Sequence, residues 1–189
     1  MAGQAKTIRK MLTPNLLLVV LLSLGAILYL QHSFQYFSHD DEQTNAYAAW
    51  RVSEGEVPYR DLLSDQMPAF LYWGGLIVRV FGRSYVALRL ATMLVMLLAG
   101  GLLYALNREL YGPPVALLSL ALFLVETNAL GIVRFFLSEA TMLFFSNAGL
   151  YAFVLGEKRG RRGYVAGRLL LGESPHAHHR VAREGGAGG

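Results

Sequence analysis

Long apolar runs are the feature that most restricts this chain. The first occupies residues 14–30 (PNLLLVVLLSLGAILYL), and others follow at 86–106, 115–132 and about 140–155. A helix crosses a bilayer core with about 20 apolar residues, so each run approaches or reaches a span. Helices satisfy their own backbone polar groups, which hydrocarbon cannot do. The expected fold is an all-α membrane protein with about four transmembrane helices. Charged residues make up only 16%, where a soluble domain has about 25%. There is no cysteine, which excludes a disulfide scaffold, a thiolate metal site and a cysteine nucleophile. The net charge of +4 does not signal nucleic acid. Basic residues beside apolar runs orient helices in the bilayer, and no aromatic-basic RNA motif is present.

Lys6, Arg9 and Lys10 precede the first run. A cleaved signal peptide also begins this way, but this run is long and no small-x-small site follows it. The reading is a retained anchor with a cytoplasmic N-terminus in a multi-pass protein of the cell membrane. Residues 156–163 (GEKRGRRG) carry Lys158, Arg159, Arg161 and Arg162, which the positive-inside rule assigns to the cytoplasm. Two ends on one side require an even number of spans. The short stretch 68–80, with Gly74, Gly75 and Arg79, is therefore expected to be an interfacial or re-entrant helix on the outer face. The loop 31–85 and the segment 133–139 become extracytoplasmic, and 107–114 a short cytoplasmic turn, with Pro113 and Pro114 opening the third span. Carboxylates then gather outside. Asp40, Asp41, Glu42, Glu54, Glu56, Asp61 and Asp65 lie in the first loop, and Glu139 opens the fourth span. Glu126, near the outer end of the third span, is expected to face the bundle interior.

His39, Asp40, Asp41 and Glu42 follow the first span closely. Ser38 or Asp40 can cap a helix over 43–52, and acids in its first turn suit the helix dipole. That alone accounts for these acids. The functional alternative is a general base or a metal ligand at the membrane surface. Adjacent helical side chains diverge by about 100°, so one of Asp41 and Glu42 faces any reaction centre. Glu139 supplies a further carboxylate. Arg79, Arg83, Arg89 and Arg134 either snorkel to headgroups or offer a guanidinium fork to a lipid-linked phosphate. Arg134 and Glu139 can also pair with each other. No cofactor and no ligand set for a metal are assigned, although a divalent cation is compatible with these carboxylates. His32 and His39 do not form a metal site by themselves. His176, His178 and His179 lie in a Gly- and Arg-rich tail where chance composition accounts for them.

The segment DDEQTNAYAAWRVSEGEVPYRDLLSDQMPAF resembles the first outer loop of the GT-C superfamily of integral membrane glycosyltransferases. It is most similar to the dolichyl-phosphate-mannose protein mannosyltransferase and aminoarabinose-lipid A transferase group. The matching features are Asp41-Glu42, Tyr47-Ala48, Gly55, Pro58-Tyr59 and Pro68, then FGRSYVALRL with Gly82 and Arg89, and the spacing from Arg134 to Glu139. This resemblance implies the N-terminal part of a GT-C fold, with juxtamembrane helices in the first outer loop. It also implies transfer of a hexosyl or pentosyl group from a polyprenyl-phosphate donor, with inversion. The acceptor would be a lipid, glycan or protein at the extracytoplasmic face. Asp41 matches the acid that positions or deprotonates the acceptor, Glu139 matches the second-loop acid, and these two with Glu42, the second acid of the pair, are the expected catalytic residues. Arg89, Arg134 and Arg83 are the expected contacts of the donor phosphate. Met67-Pro68-Ala69 stands where relatives often have Lys or His before Pro-Pro, which moves that contact to an arginine.

Two other readings use the same residues. One is a non-catalytic four-span protein or assembly subunit. The other is a transporter fragment using Glu126 and Glu139, for which broken helices at mid-membrane are expected. Residues 1–167 form the membrane region. Residues 168–189, rich in Gly, Arg and His, read as a disordered tail of the kind a frameshift or truncation leaves. About four spans enclose little of a long carrier, so the chain alone is expected to be inactive.

Overall fold

The computed structural model describes residues 2–34 and 39–159, and the described residues form helices joined by non-helical connections, of which 54–67 is the longest. In chain order the helices are α1 (Ala2–Ser33), α2 (Asp40–Ser53), α3 (Pro68–Phe81), α4 (Tyr85–Tyr111), α5 (Pro113–Val125), α6 (Thr127–Ile132) and α7 (Glu139–Arg159). The tail 168–189, with His176, His178 and His179, lies outside the described residues.

Two helices are long and apolar enough to cross a membrane: Thr13–Gln31 within α1, and α4. The 27 residues of α4 extend about 40 Å. Shorter apolar helices are α3 and α5, while α7 is long but carries Glu139, Glu157 and Lys158 towards its ends. Leu16, Leu17, Val19, Val20, Leu24 and Ile27 all point outward from α1. An exposed apolar face this large requires a hydrophobic surrounding.

Proline and glycine set the boundaries. Pro68 and Pro113 open α3 and α5, where a missing N–H costs nothing. Gly112 alone joins α4 to α5, at φ 86°, so the turn expected over 107–114 is a single residue. The apolar run 115–132 is not one helix. It divides at Glu126, whose backbone is extended (φ −64°, ψ 135°). Its carboxylate caps α6 by accepting from Ala129 N–H at 2.9 Å, and also accepts from Asn128 Nδ2 at 2.9 Å. Glu126 is exposed rather than turned into the bundle, because the cap satisfies it where it stands.

The central element is α4, which packs against α1, α3, α5 and α7. One core joins Tyr29, Met96, Leu120, Leu124, Val133 and Ala140. A second joins Ala49, Phe70, Leu71, Val78, Leu88 and Phe136, and seats α2 and α3 against the first turns of α4. At one end of the bundle Arg108 donates to Asn15 at 3.3 Å, and Lys158 reaches the backbone and carboxylate of Glu109. At the other end the Ser33 hydroxyl donates to the Val133 carbonyl at 3.1 Å. These contacts bring the amino ends of α2 and α4 and the segment 133–138 together.

Candidate active site

Helix α2 buries Glu42, Asn45, Ala48 and Ala49, spaced three and four residues apart on one side. Its cap is His39, whose Nδ1 accepts from Asp41 N–H at 3.3 Å. An imidazole with a free ring nitrogen does the work expected of Ser38 or Asp40; Ser38 lies outside the described residues.

The two neighbouring acids have opposite surroundings. Glu42 is only 2% exposed. Arg89, from the first turns of α4, grips it with Nε on Oε1 at 2.7 Å and Nη2 on Oε2 at 2.5 Å. Phe136 N–H donates to Oε1 at 3.0 Å. Arg89 Nη1 also donates to Ser33 O at 3.4 Å, and Asn45 Nδ2 donates to Phe136 O at 3.2 Å. A buried carboxylate is tolerable only with this degree of pairing. By contrast, the side chain of Asp41 is 73% exposed and lies 3.6 Å from His39 Nδ1. The His39 ring packs at 5.2 Å from Phe135, which in turn lies 5.5 Å from the Arg89 guanidinium.

The three arginines differ as well. Arg89 is bound to Glu42. Arg83 donates to Glu54 at 2.9 Å and covers the Trp50 ring at 3.5 Å, and Trp50 donates to the same Glu54 oxygen. Arg134 is half-buried, and among the described residues its buried Nε has no partner. It makes no ion pair there, with Glu139 or with any other acid. Glu139 is exposed in the first turn of α7, where Ser138 O accepts from Met142 N–H. The structure thus joins Glu42 to Arg89, holds Asp41 beside them facing out, and keeps Arg83 with Glu54. No hydrogen bond or ion pair among the described residues joins Asp41 to Glu139.

Other acids of the first loop are engaged locally. Glu56 pairs with Arg51. Asp61 accepts from Arg60 at 2.9 and 2.7 Å and from Val57 N–H at 3.0 Å. The Arg60 guanidinium, then that N–H, hold its carboxyl down to about 2. Among the described residues no group of three or more His, Asp or Glu side chains could hold a metal ion. Sequence reasoning missed Asn45 and the Phe135–Phe136 pair. The spacing of Asn45 from Glu42 was a usable signal, but nothing local marks Phe136 as a backbone donor 94 residues away. An apolar groove of about 440 Å³ lies between α3, α4 and α7, lined by Tyr72, Trp73, Leu94 and Phe145 among others.

Comparison with curated proteins and with solved structures gives no match. The family model described as dolichyl-phosphate-mannose-protein mannosyltransferase matches residues 65–172, which is more than half of the chain and includes α3 through α7. With that match spanning the segments that carry Arg89, Arg134 and Glu139, this chain belongs to the dolichyl-phosphate-mannose-protein mannosyltransferase family of GT-C glycosyltransferases.

Proposed function

We propose that the chain is the N-terminal part of a transferase that moves a sugar from a polyprenyl-phosphate carrier to an acceptor at the extracytoplasmic face. Asp41 is the general base. It takes the proton of an acceptor hydroxyl as that oxygen attacks the anomeric carbon and the carrier phosphate leaves. Arg134 holds the departing phosphate, and Glu139 helps to orient the acceptor. The observation that carries this reading is the division of labour between neighbours: Glu42 is consumed by Arg89 and Phe136, whereas Asp41 stands exposed. The lack of an ion pair on Arg134 among the described residues supports a phosphate contact, since an unpaired cation keeps its charge for a ligand. The apolar groove between α3, α4 and α7 supports accommodation of a prenyl chain.

The proposed topology has about four spans, with α5 and α6 together forming the third. Asn15 with Arg108, and Glu109 with Lys158, lie at one end of the bundle, which favours a common cytoplasmic side for the start of α1 and the end of α7. The transporter alternative is not favoured by the break at Glu126, because that carboxylate is occupied as a helix cap.

The test joins this chain to the remaining spans of an active family member and supplies polyprenyl-phosphate mannose labelled in the sugar. Asp41→Asn is expected to lower transfer by about 10²–10⁴-fold, the usual loss of a general base, with donor binding retained. Arg134→Gln is expected to weaken donor binding. Normal turnover by Asp41→Asn rejects the assignment.

A further inference from the structure

We propose that Glu42 and Arg89 touch no substrate and form an internal latch that sets the position of Asp41 against the segment 133–138; its catalytic meaning rests on the role of Asp41 given above. Both carboxylate oxygens of Glu42 are taken, by two nitrogens of Arg89 and by Phe136 N–H. With the Glu42 side chain 3% exposed, no face of its carboxylate remains open to an acceptor or a metal ion. The fork of Arg89 is spent on the same group, with a third nitrogen on Ser33 O. The pair of side chains therefore ties α2 to α4, to the end of α1 and to the loop that carries Arg134.

This tie has a specific geometric effect. Asp41 precedes Glu42 by one residue, so fixing Glu42 fixes the rotation of α2 about its axis and points Asp41 about 100° away, towards solvent. Asn45, one turn on, repeats the tie by donating to Phe136 O. The Phe136 backbone is thus held through both its N–H and its carbonyl. Phe135 is held beside the His39 ring. Planar bidentate pairing suits such a role, because it specifies orientation as well as proximity.

The test uses the full chain in nanodiscs without substrate. Spin labels at Thr44→Cys and Met142→Cys, both exposed, report the separation of α2 from the start of α7. The chain has no native cysteine to interfere. Glu42→Ala and Arg89→Ala are each expected to shift and broaden that distance distribution, and the double variant to do no more than either. The His39 imidazole signal, assigned with His39→Gln, is expected to lose its ring-current shift from Phe135 in the same variants. If the alanine variants do not fold, Glu42→Gln and Arg89→Lys carry the test, since each keeps volume and a hydrogen bond; a smaller shift of both readouts is expected. Folded variants with the native distance and the native His39 signal overturn the latch, even if their melting temperature falls. Weakened binding of polyprenyl monophosphate by Arg89→Ala at the native distance overturns it too, by making Arg89 a phosphate ligand. Because the distance and the His39 signal are read without substrate, failure of the Asp41 assignment leaves them interpretable.

Discussion

Asp41 and Glu42 are adjacent acids in one helical turn, and partners rather than intrinsic acidity separate their roles. Glu42 has three donors around it and Asp41 has open solvent on most of its surface. A group needed for proton transfer must be reached by its substrate, so exposure favours Asp41. Asp61 shows what an acid of the same loop does when its partners are local. The Arg60 guanidinium and the Val57 N–H both favour its ionised form, and its carboxyl falls from the ordinary 3.8 to about 2. A pKa depressed by folding stabilises the fold above the unfolded value, and that contribution is lost as pH falls from about 4 through about 2. The side chain is exposed, so the effect is a local ordering of the turn. Titration followed by carboxyl carbon NMR is expected to place the Asp61 midpoint near 2. Arg60→Gln is expected to raise it, though not fully to 3.8, because the Val57 bond remains. An ordinary midpoint in the unaltered chain would remove this account of the turn.

Between elements, close packing of α2 on α3 depends on Gly74. A Cβ there would sit 2.6 Å from the Phe136 ring and 2.8 Å from the Ala49 Cβ. Ala49 is anchored on its own helix and cannot swing aside. An alanine in a helix gains about 1 kcal/mol over glycine, whereas overpacking costs about 1–3 kcal/mol. The clash should win, so Gly74→Ala is expected to lower the melting temperature in detergent. Gly101→Ala, in α4 with open space around its Cβ, is expected to hold or raise it. Equal effects at both sites would show that packing at Gly74 is looser than this. The helices themselves were largely legible in the sequence, since apolar length marks α1 and α4 and Pro68 marks the start of α3. The division at Glu126 was hidden because apolar residues continue on both sides, and the break depends on a cap formed by Glu126 and Ala129. Asp41 could be singled out as a candidate from its motif. The separate fates of Glu42 and Arg89 could not, because they are 47 positions apart and meet only through tertiary packing.

For the whole molecule, membrane orientation decides whether Asp41, Arg134 and Glu139 share one aqueous face. Arg108 and Lys158 lie at the end of the bundle where α1 begins, and Lys6, Arg9 and Lys10 precede Asn15 in the chain. Basic residues near span ends are retained on the cytoplasmic side, so this end is proposed to face the cytoplasm. The site end, with Ser33, Arg89 and Phe136, then faces outward. Helix α3 is too short for an easy span and together with α2 packs on the first turns of α4, so the proposed topology does not count it as a crossing. Absence of cysteine permits a clean test of this arrangement. Leu63, fully exposed between α2 and α3, and Glu157, exposed near the end of α7, are suitable positions. A membrane-impermeant maleimide should label Leu63→Cys in intact cells and Glu157→Cys only after permeabilisation. Labelling of both in intact cells would mean an even number of crossings between Leu63 and Glu157, and so, with a cytoplasmic N-terminus, an odd number from the N-terminus to Glu157. Asn15 and the end of α7 would then lie on opposite sides of the membrane, although Arg108 and Glu109 of α4 hold both at one end of the bundle. Labelling of neither would put Asp41 on the cytoplasmic side, away from any acceptor at the outer face, and the proposed transfer reaction would have to be abandoned with it.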